Sequence, residues 1–287
     1  MIDVLTLNYN DSASTIQFIS SIKEIDCIEH IVVVDNKSTD SSWEELHRMV
    51  GEKIYVIQSG ENGGYGAGNN FGIEYLKKHF HSKKILLANP DVIICKDVLE
   101  KMEKFMDEHS EYAFVAPLMC SPKGIVQYNS AMKIPGKLMF VAGLDMFVSK
   151  FLKPFYYKSL FSKNGILDVD AVAGSLFLMD VESMSRYGMF DENIFLYCEE
   201  IVLGLKMKKA GLKTALLTNL NYVHNHSVSI QKSYSSLLAR NKLIVKSFLY
   251  VLQTYYKIGK FSYLIAQMFA KIRLLEIRFI GIFKKYR

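Results

Sequence analysis

Four short apolar runs, each ending in polar or glycine-rich residues, constrain what this chain can fold into more than any other feature. Ile2 to Leu7, Ile31 to Val34, Ile54 to Ile57 and Ile85 to Leu87 are almost continuously aliphatic, and a fifth run, Phe114 to Ala116, follows. Between them, Ser14 to Ile22, Trp43 to Val50, Ala67 to Lys78 and Val98 to His109 carry helical spacing. Strands apolar on both faces, separated by amphipathic helices, predict an α/β fold with a mostly parallel sheet flanked by helices. Ligands of such sheets bind beyond the carboxyl ends of the strands. Those ends read Asn8-Tyr9-Asn10, Asp35-Asn36-Lys37-Ser38-Thr39-Asp40, Asn62-Gly63-Gly64-Tyr65-Gly66-Ala67-Gly68-Asn69-Asn70 and Asn89-Pro90-Asp91. Four such ends in succession predict one shared site.

Each segment points to a chemistry and also has a plainer reading. Asp35, directly after a buried strand, can accept the imide N–H of uracil or thymine, whereas Thr39 and Asp40 suit a helix N-cap. The glycines at 63, 64, 66 and 68 open a helix, where a backbone can approach phosphate closely. They do not follow the G-x-G-x-x-G spacing of dinucleotide folds, and no acidic residue stands about twenty positions on. Asp91 can hold Mg²⁺ or Mn²⁺ when a diphosphate supplies further oxygens, although Asn-Pro-Asp alone is also an ordinary turn.

Half of the 287 residues are hydrophobic, enough for a sizeable core. Cys27, Cys95, Cys120 and Cys198 lie far apart, which argues against a zinc site or disulfide framework and suits a reducing compartment. The first residues resemble a strand and not a signal peptide, so a cytoplasmic location is expected. Lysines interrupt the apolar stretches near the C-terminus before either could span a bilayer.

Taken together, the segments resemble the inverting glycosyltransferases of family 2, which have the GT-A fold. Thr6-Leu7-Asn8-Tyr9-Asn10, Val33 to Asp40, Asn62 to Gly72 and Ala88-Asn89-Pro90-Asp91 carry the resemblance. It continues through Asp170 to Ser175, Phe190-Asp191-Glu192 and Phe195-Leu196-Tyr197-Cys198-Glu199-Glu200, covering residues 2 to 230. The Asn-Gly-Gly loop and the Asn-Pro-Asp variant are most similar to rhamnosyltransferases, which often use a dTDP-linked donor.

The resemblance implies that Asp35 reads the base and that the Tyr9 neighbourhood, with Asn8, holds the nucleoside. Asn36, Asn62, Gly64, Asn69 and Asn89 belong to the same nucleotide-sugar site. Asp91 would bind the metal and diphosphate, joined by His224, with His226 a nearby rival. A Glu-Asp pair supplies the catalytic base in the family; here it is Glu199-Glu200, and either glutamate could serve. The next acidic position of the motif is Val202, and the nearby basic position is Lys206. The implied donor is a dTDP- or UDP-linked sugar and the implied acceptor a glycan or lipid-linked glycan. A non-catalytic nucleotide-sugar-binding or scaffolding protein is the alternative, and a nucleotidyltransferase a weaker one.

Residues 118 to 165 lack a clear period and predict a loop-rich region or lid. Val169 to Met179 reads as ordered, followed by a helix from Glu199 to Ala210. The expected division is a catalytic domain over residues 1–232 and a basic helical extension over 233–287. From Arg240 to Arg287 eleven basic residues face one acid, Glu276. Phe261, Leu264, Ile265, Met268, Phe269, Ile272, Leu275, Phe279, Ile280 and Phe283 recur at three- and four-residue intervals. This pattern suits an anionic membrane surface more than packing on the domain or on a second subunit, and its long apolar stripe disfavours nucleic acid.

Overall fold

The computed structural model describes residues 1–152, 155–157, 159–225 and 236–285. Its sheet begins with β1 (Ile2–Asn8), β2 (Ile28–Asp35), β3 (Ile54–Gln58) and β4 (Lys84–Ala88), ordered β3-β2-β1-β4 and all parallel. β1, β2 and β4 are buried on both faces, which explains their aliphatic runs. The helices α1 (Ser12–Ile22), α2 (Ser42–His47), α3 (Gly64–Phe80) and α4 (Lys96–Glu108) supply the crossovers.

Past β4 the sheet becomes mixed. The next strand in space is β10 (Leu176–Asp180), antiparallel to β4 and to β6 (Tyr112–Cys120). Beyond β6 comes β11 (Lys213–His224), parallel to it, then the two-residue β5 (Val92–Ile93), with β8 (Ile166–Val169) also pairing β11. The antiparallel insertion brings the start of β10 to the same edge as the ends of β1, β2, β4, β6 and β11. The stretch predicted as ordered from Val169 to Met179 is broken into the end of β8, β9 (Ala171–Val172) and β10.

Residues 118–165 hold more regular structure than expected. β6 runs on to Cys120, β7 (Ala131–Met132) pairs β9, and two short helices follow, α5 (Lys137–Ala142) and α6 (Met146–Leu152). Short helices with aromatic residues on several sides give no clean period, so the sequence concealed them. After α7 (Val181–Tyr187) comes α8 (Glu199–Lys209), and the chain closes with α9 (Leu237–Thr254) and α10 (Lys260–Lys285).

The C-terminal helices are integral to the molecule. Phe140, Leu144, Cys198, Ile201, Val202, Val251, Leu252 and Ala266 form one apolar cluster shared by α5, α8, α9 and α10. Within the apolar stripe of α10, Ile265 and Phe269 pack against this cluster, whereas Phe261, Leu264, Met268, Leu275 and Phe279 are exposed. The stripe therefore packs on one side and remains open on the other. Among the described residues no helix is long and apolar enough to cross a membrane.

α3 starts at Gly64, three residues before the predicted Ala67. A Cβ on Gly68 would lie 2.5 Å from Leu7 Cδ1, and one on Gly72 would lie 2.2 Å from Leu5 Cδ1 and 2.9 Å from Val34 Cγ2. These two glycines let α3 lie close on β1 and β2. Gly72→Ala is expected to destabilise the fold by about 1–3 kcal/mol through overpacking, read from the midpoint of urea unfolding.

Candidate active site

Parallel register puts three polar strand ends at one level: Asn8 pairs with Asp35, and Asp35 with Gln58. Asp35 is wholly buried, yet its carboxylate has a full set of donors. Asn8 Nδ2 donates to Oδ1 at 2.9 Å, Gln58 Nε2 to Oδ2 at 2.8 Å, and the Ser38 amide to Oδ2 at 3.1 Å. The Ser38 hydroxyl adds a fourth bond, on Oδ1. A carboxylate offers about four acceptor positions, so Asp35 is saturated and holds the turn that follows β2. Gln58 was missed in the sequence, although its place at the end of β3 is the signal that marked the others. Tyr9 is half-buried beside this turn. Asn10, in the left-handed region at φ 53°, ties the two loops by accepting the Thr39 amide at 2.8 Å.

The glycine segment is secured from the same turn. Asn36 Nδ2 donates to Asn62 Oδ1 at 3.0 Å and to the Gly64 carbonyl at 3.1 Å, and Ser59 Oγ donates to Asn36 Oδ1 at 3.0 Å. Gly64, at φ +91°, abuts the Phe195 backbone so closely that a Cβ would sit 2.2 Å from its carbonyl oxygen. Asn69 is buried and its side chain donates to the Tyr65 carbonyl one helical turn back, at 2.9 Å. Gly64 and Asn69 thus join parts of the protein, while Asn36 and Asn62 form the rim beside Asp35.

Asp91 and His224, 133 residues apart, meet with Nε2 at 3.1 Å from Oδ1. Pairing of His224 with Val92 across β11 and β5 creates this contact. His224 Nδ1 lies 3.2 Å from Met119 Sδ. An imidazole nitrogen and a carboxylate oxygen at this distance can share a proton in a hydrogen bond or stand as neighbouring ligands of one metal ion. Neighbouring ligands of an octahedral Mg²⁺ or Mn²⁺ are about 3 Å apart, so the pair fits the group. His226 lies outside the described residues. Among the described residues one trio of possible ligands, Asp3, Glu29 and His30, sits where β1 and β2 begin, at the far edge of the sheet.

The turn from Ala173 to Ser175 connects this pair to the two glutamates. Asn89 N–H donates to the Ser175 carbonyl at 2.8 Å, and the Gly174 N–H donates to Glu200 Oε1 at 3.2 Å. Tyr65 OH donates to the Gly174 carbonyl. Glu200 is half-buried, and burial raises its pKa above the usual carboxylate range. Glu199 is buried, with Oε1 lacking a hydrogen-bond partner and the backbone N–H of Tyr197 turned toward its carboxyl. Burial first, and the charge of Glu200 second, push its pKa well up. Both stand at the start of α8 after Tyr197 and Cys198, two non-glycine residues at φ 73° and 75°. Such backbone persists only where its surroundings hold it.

Residues 3–185 match the domain described as glycosyl transferase family 2. The chain belongs to that family.

The matched span contains Asn8, Asp35, Asn62 and Asp91 and stops before Glu199, Glu200 and His224. Among relatives, the chain is 24% identical over 257 residues to the low-salt glycan biosynthesis hexosyltransferase Agl10 of Haloferax volcanii, covering 86% of this chain and 77% of that one. It is 29% identical over 166 residues to rhamnosyltransferase WbbL of Escherichia coli, covering 56% and 60%. Against the N-acetylglucosaminyl-diphospho-decaprenol L-rhamnosyltransferase of Mycobacterium tuberculosis the identity is 23% over 220 residues, covering 73% and 70%. Two solved structures share the GT-A fold. They are GalNAc-T7 with UDP, GalNAc and Mn²⁺ (TM-score 0.62, 14% identity, 80% of this chain and 44% of that one) and the Pyrobaculum calidifontis mannosyltransferase PcManGT with GDP-Man and Mn²⁺ (0.57, 15%, 95% and 69%).

This family 2 chain departs from the resemblance at Val202, and the fold explains it. Val202 is wholly buried against α9, where an acid would be unpaired. Lys206 donates to the Met189 carbonyl, and burial lowers its pKa. The loop before α8 is instead held from outside by α9. Ser247 Oγ donates to the Leu196 carbonyl at 2.7 Å, while Tyr250 OH at 2.9 Å and Tyr255 OH at 2.7 Å both donate to Asp191 Oδ2. Burial alone would raise the Asp191 pKa, but the bonds from Tyr255, Asn193 and Tyr250 outweigh it and hold it below the usual range.

Two outcomes are expected. Removing both hydroxyls in Tyr250→Phe/Tyr255→Phe should cost about 2–4 kcal/mol of stability by chemical denaturation, as bonds to a charged acceptor. Glu199 binds its proton more tightly when folded, so native stability falls as pH rises from the unfolded carboxyl pKa toward the folded one. Glu199→Gln, which cannot ionise, should flatten that decline in thermal melts recorded across pH and exceed the wild type at the alkaline end.

Proposed function

We propose that this family 2 glycosyltransferase moves a sugar from a nucleoside-diphosphate donor to an acceptor hydroxyl with inversion. The observation that carries it is the Asp91–His224 pair, formed at the edge where the polar ends of β1 to β4 gather. Residues 1–232 would hold both subsites, with 233–287 as the extension that braces them.

The nucleoside lies over the turn held by Asp35, flanked by Tyr9, Asn8, Asn36 and Asn62. An imide N–H of the base takes the place of Gln58 Nε2, a donor from a half-buried side chain able to rotate away. Asn89 lies beside Asp91, which with His224 would hold Mg²⁺ or Mn²⁺; such an ion offsets the charge that builds on the departing diphosphate.

Glu200 is the base and Glu199 positions it. Glu200 alone of the two bonds to the Gly174 turn that leads to Asn89, whereas Glu199 turns back to the loop amides. The Glu200 carboxylate takes the proton of the acceptor hydroxyl as its oxygen attacks the anomeric carbon from the face opposite the diphosphate. The new C–O bond forms as the bond to the diphosphate breaks, and the configuration inverts. A carboxyl pKa raised by burial brings the base closer to neutral pH.

The relatives' names support L-rhamnose as the sugar; the family resemblance implies a dTDP-linked donor, with UDP as the other nucleotide to test. One relative's name also specifies a diphospho-decaprenol acceptor, which supports a lipid-linked glycan acceptor met at the cytoplasmic face of a membrane.

Release of nucleoside diphosphate, followed with dTDP-rhamnose, UDP-sugars and a diphospho-polyprenol acceptor, tests the reading. Glu200→Gln should lower kcat by about 10²- to 10⁴-fold with donor Kd unchanged, and Asp91→Ala should abolish the dependence on added Mn²⁺. Donor binding by calorimetry with no turnover under any condition would mark a non-catalytic binding protein and defeat the proposal.

A further inference from the structure

α6 and the outer side of α10 leave an unusual amount of apolar surface uncovered. Phe147 and Phe151 on α6 are 61% and 80% exposed, and Leu138 on α5 is 84% exposed. On α10, Phe261, Leu264, Met268, Leu275 and Phe279 are each at least 50% exposed. At about 100° per residue these five fall within an arc of about 60°. Lys260, Lys271 and Arg278 border that arc on one side, and Glu276 borders it on the other.

The two regions adjoin. Arg273 Nη1 donates to the Leu144 carbonyl at 3.3 Å, and the Met146 backbone N–H is turned toward the Glu276 carboxyl. The start of α6 therefore lies against α10 at Arg273 and Glu276. The acids here are confined to the junction. Asp145, the one acid between residues 133 and 163, is buried and caps α6 by accepting the Val148 N–H at 2.9 Å. Glu276 is the one acid of α10 and faces Met146. Outward, only cations surround the aromatic and aliphatic side chains: Lys137, Lys150, Lys260, Lys271 and Arg278 are all exposed.

We propose that α5, α6 and the outer face of α10 form one composite surface that docks on an anionic lipid bilayer. Exposed apolar side chains rimmed by cations match the boundary between acyl chains and phosphate headgroups. A second copy of the chain is a poor occupant. A two-fold contact would set this patch against itself, with cations opposite cations and no exposed acid to balance them. The inference extends the proposed action on a lipid-linked acceptor: the mid-chain helices, and not the C-terminal helices alone, hold the enzyme at the bilayer.

The test is sedimentation of the full chain with vesicles of phosphatidylglycerol and phosphatidylcholine, beside vesicles of phosphatidylcholine alone. Wild type should bind the anionic vesicles and be released by salt. Phe147→Ser/Phe151→Ser should lower the partition coefficient by roughly tenfold or more, and Lys271→Glu/Arg278→Glu likewise. Circular dichroism melts verify that each variant folds. Donor turnover in vesicle-free buffer reports the proposed chemistry separately, so either idea can fail alone. The surface proposal is overturned if wild type ignores anionic vesicles, binds neutral ones equally, or binds undiminished in the α6 variant. It is equally overturned if the wild type sediments as a dimer that the same substitutions dissociate, because the face would then join two copies.

Discussion

The in-register pairing of β1, β2 and β3 is the constraint on which the rest of this structure depends. It sets Asn8, Asp35 and Gln58 side by side at one level, so a buried carboxylate finds all its donors on neighbouring strands and in its own turn. A slip of one residue along either strand would send these side chains to opposite faces and leave Asp35 buried without partners. Because the carboxylate is satisfied, the turn after β2 is firm enough to brace Asn36, and through it Asn62 and the start of α3.

A second, smaller element links the two halves of the site. The Gly174 turn exists because β10 is inserted antiparallel between β4 and β6. Its amide reaches Glu200, its carbonyl receives Tyr65, and the adjacent Ser175 carbonyl receives Asn89. A Cβ at Gly174 would stand 2.8 Å from Glu200 Oε1, so a larger residue there would displace that carboxylate. The Asn89 side and the glutamate side are thus coupled through three backbone groups, with the left-handed residues Tyr197 and Cys198 just before the glutamates. The α9 hydroxyls that bind Asp191 and Leu196 hold the same loop from outside, so the C-terminal helices bear on the site as well as on any surface they meet.

Much of this was legible before folding was considered. Buried parallel strands must be aliphatic on both faces, and their ends must be polar where they meet solvent, so the first half of the sheet and the residues Asn8, Asp35 and Asp91 stand out in the chain itself. The helix-opening glycines were legible as a feature but not in purpose: close packing on Leu5 and Leu7 and phosphate binding ask for the same residue. Short helices such as α5 and α6 complete no clear apolar period, and the buried side of α10 looks the same in sequence as its exposed side.

By itself the sequence determined an α/β fold whose polar strand ends gather along one edge, because periodicity and strand-end polarity are local properties. Only the tertiary structure decided that His224 meets Asp91, that Glu200 and not Glu199 bonds to the Gly174 turn, and that the basic helices share a core with α5 and α8. These contacts join residues distant along the chain through antiparallel pairings and helix docking. No local pattern records which of two adjacent glutamates, or which half of an apolar stripe, will face inward.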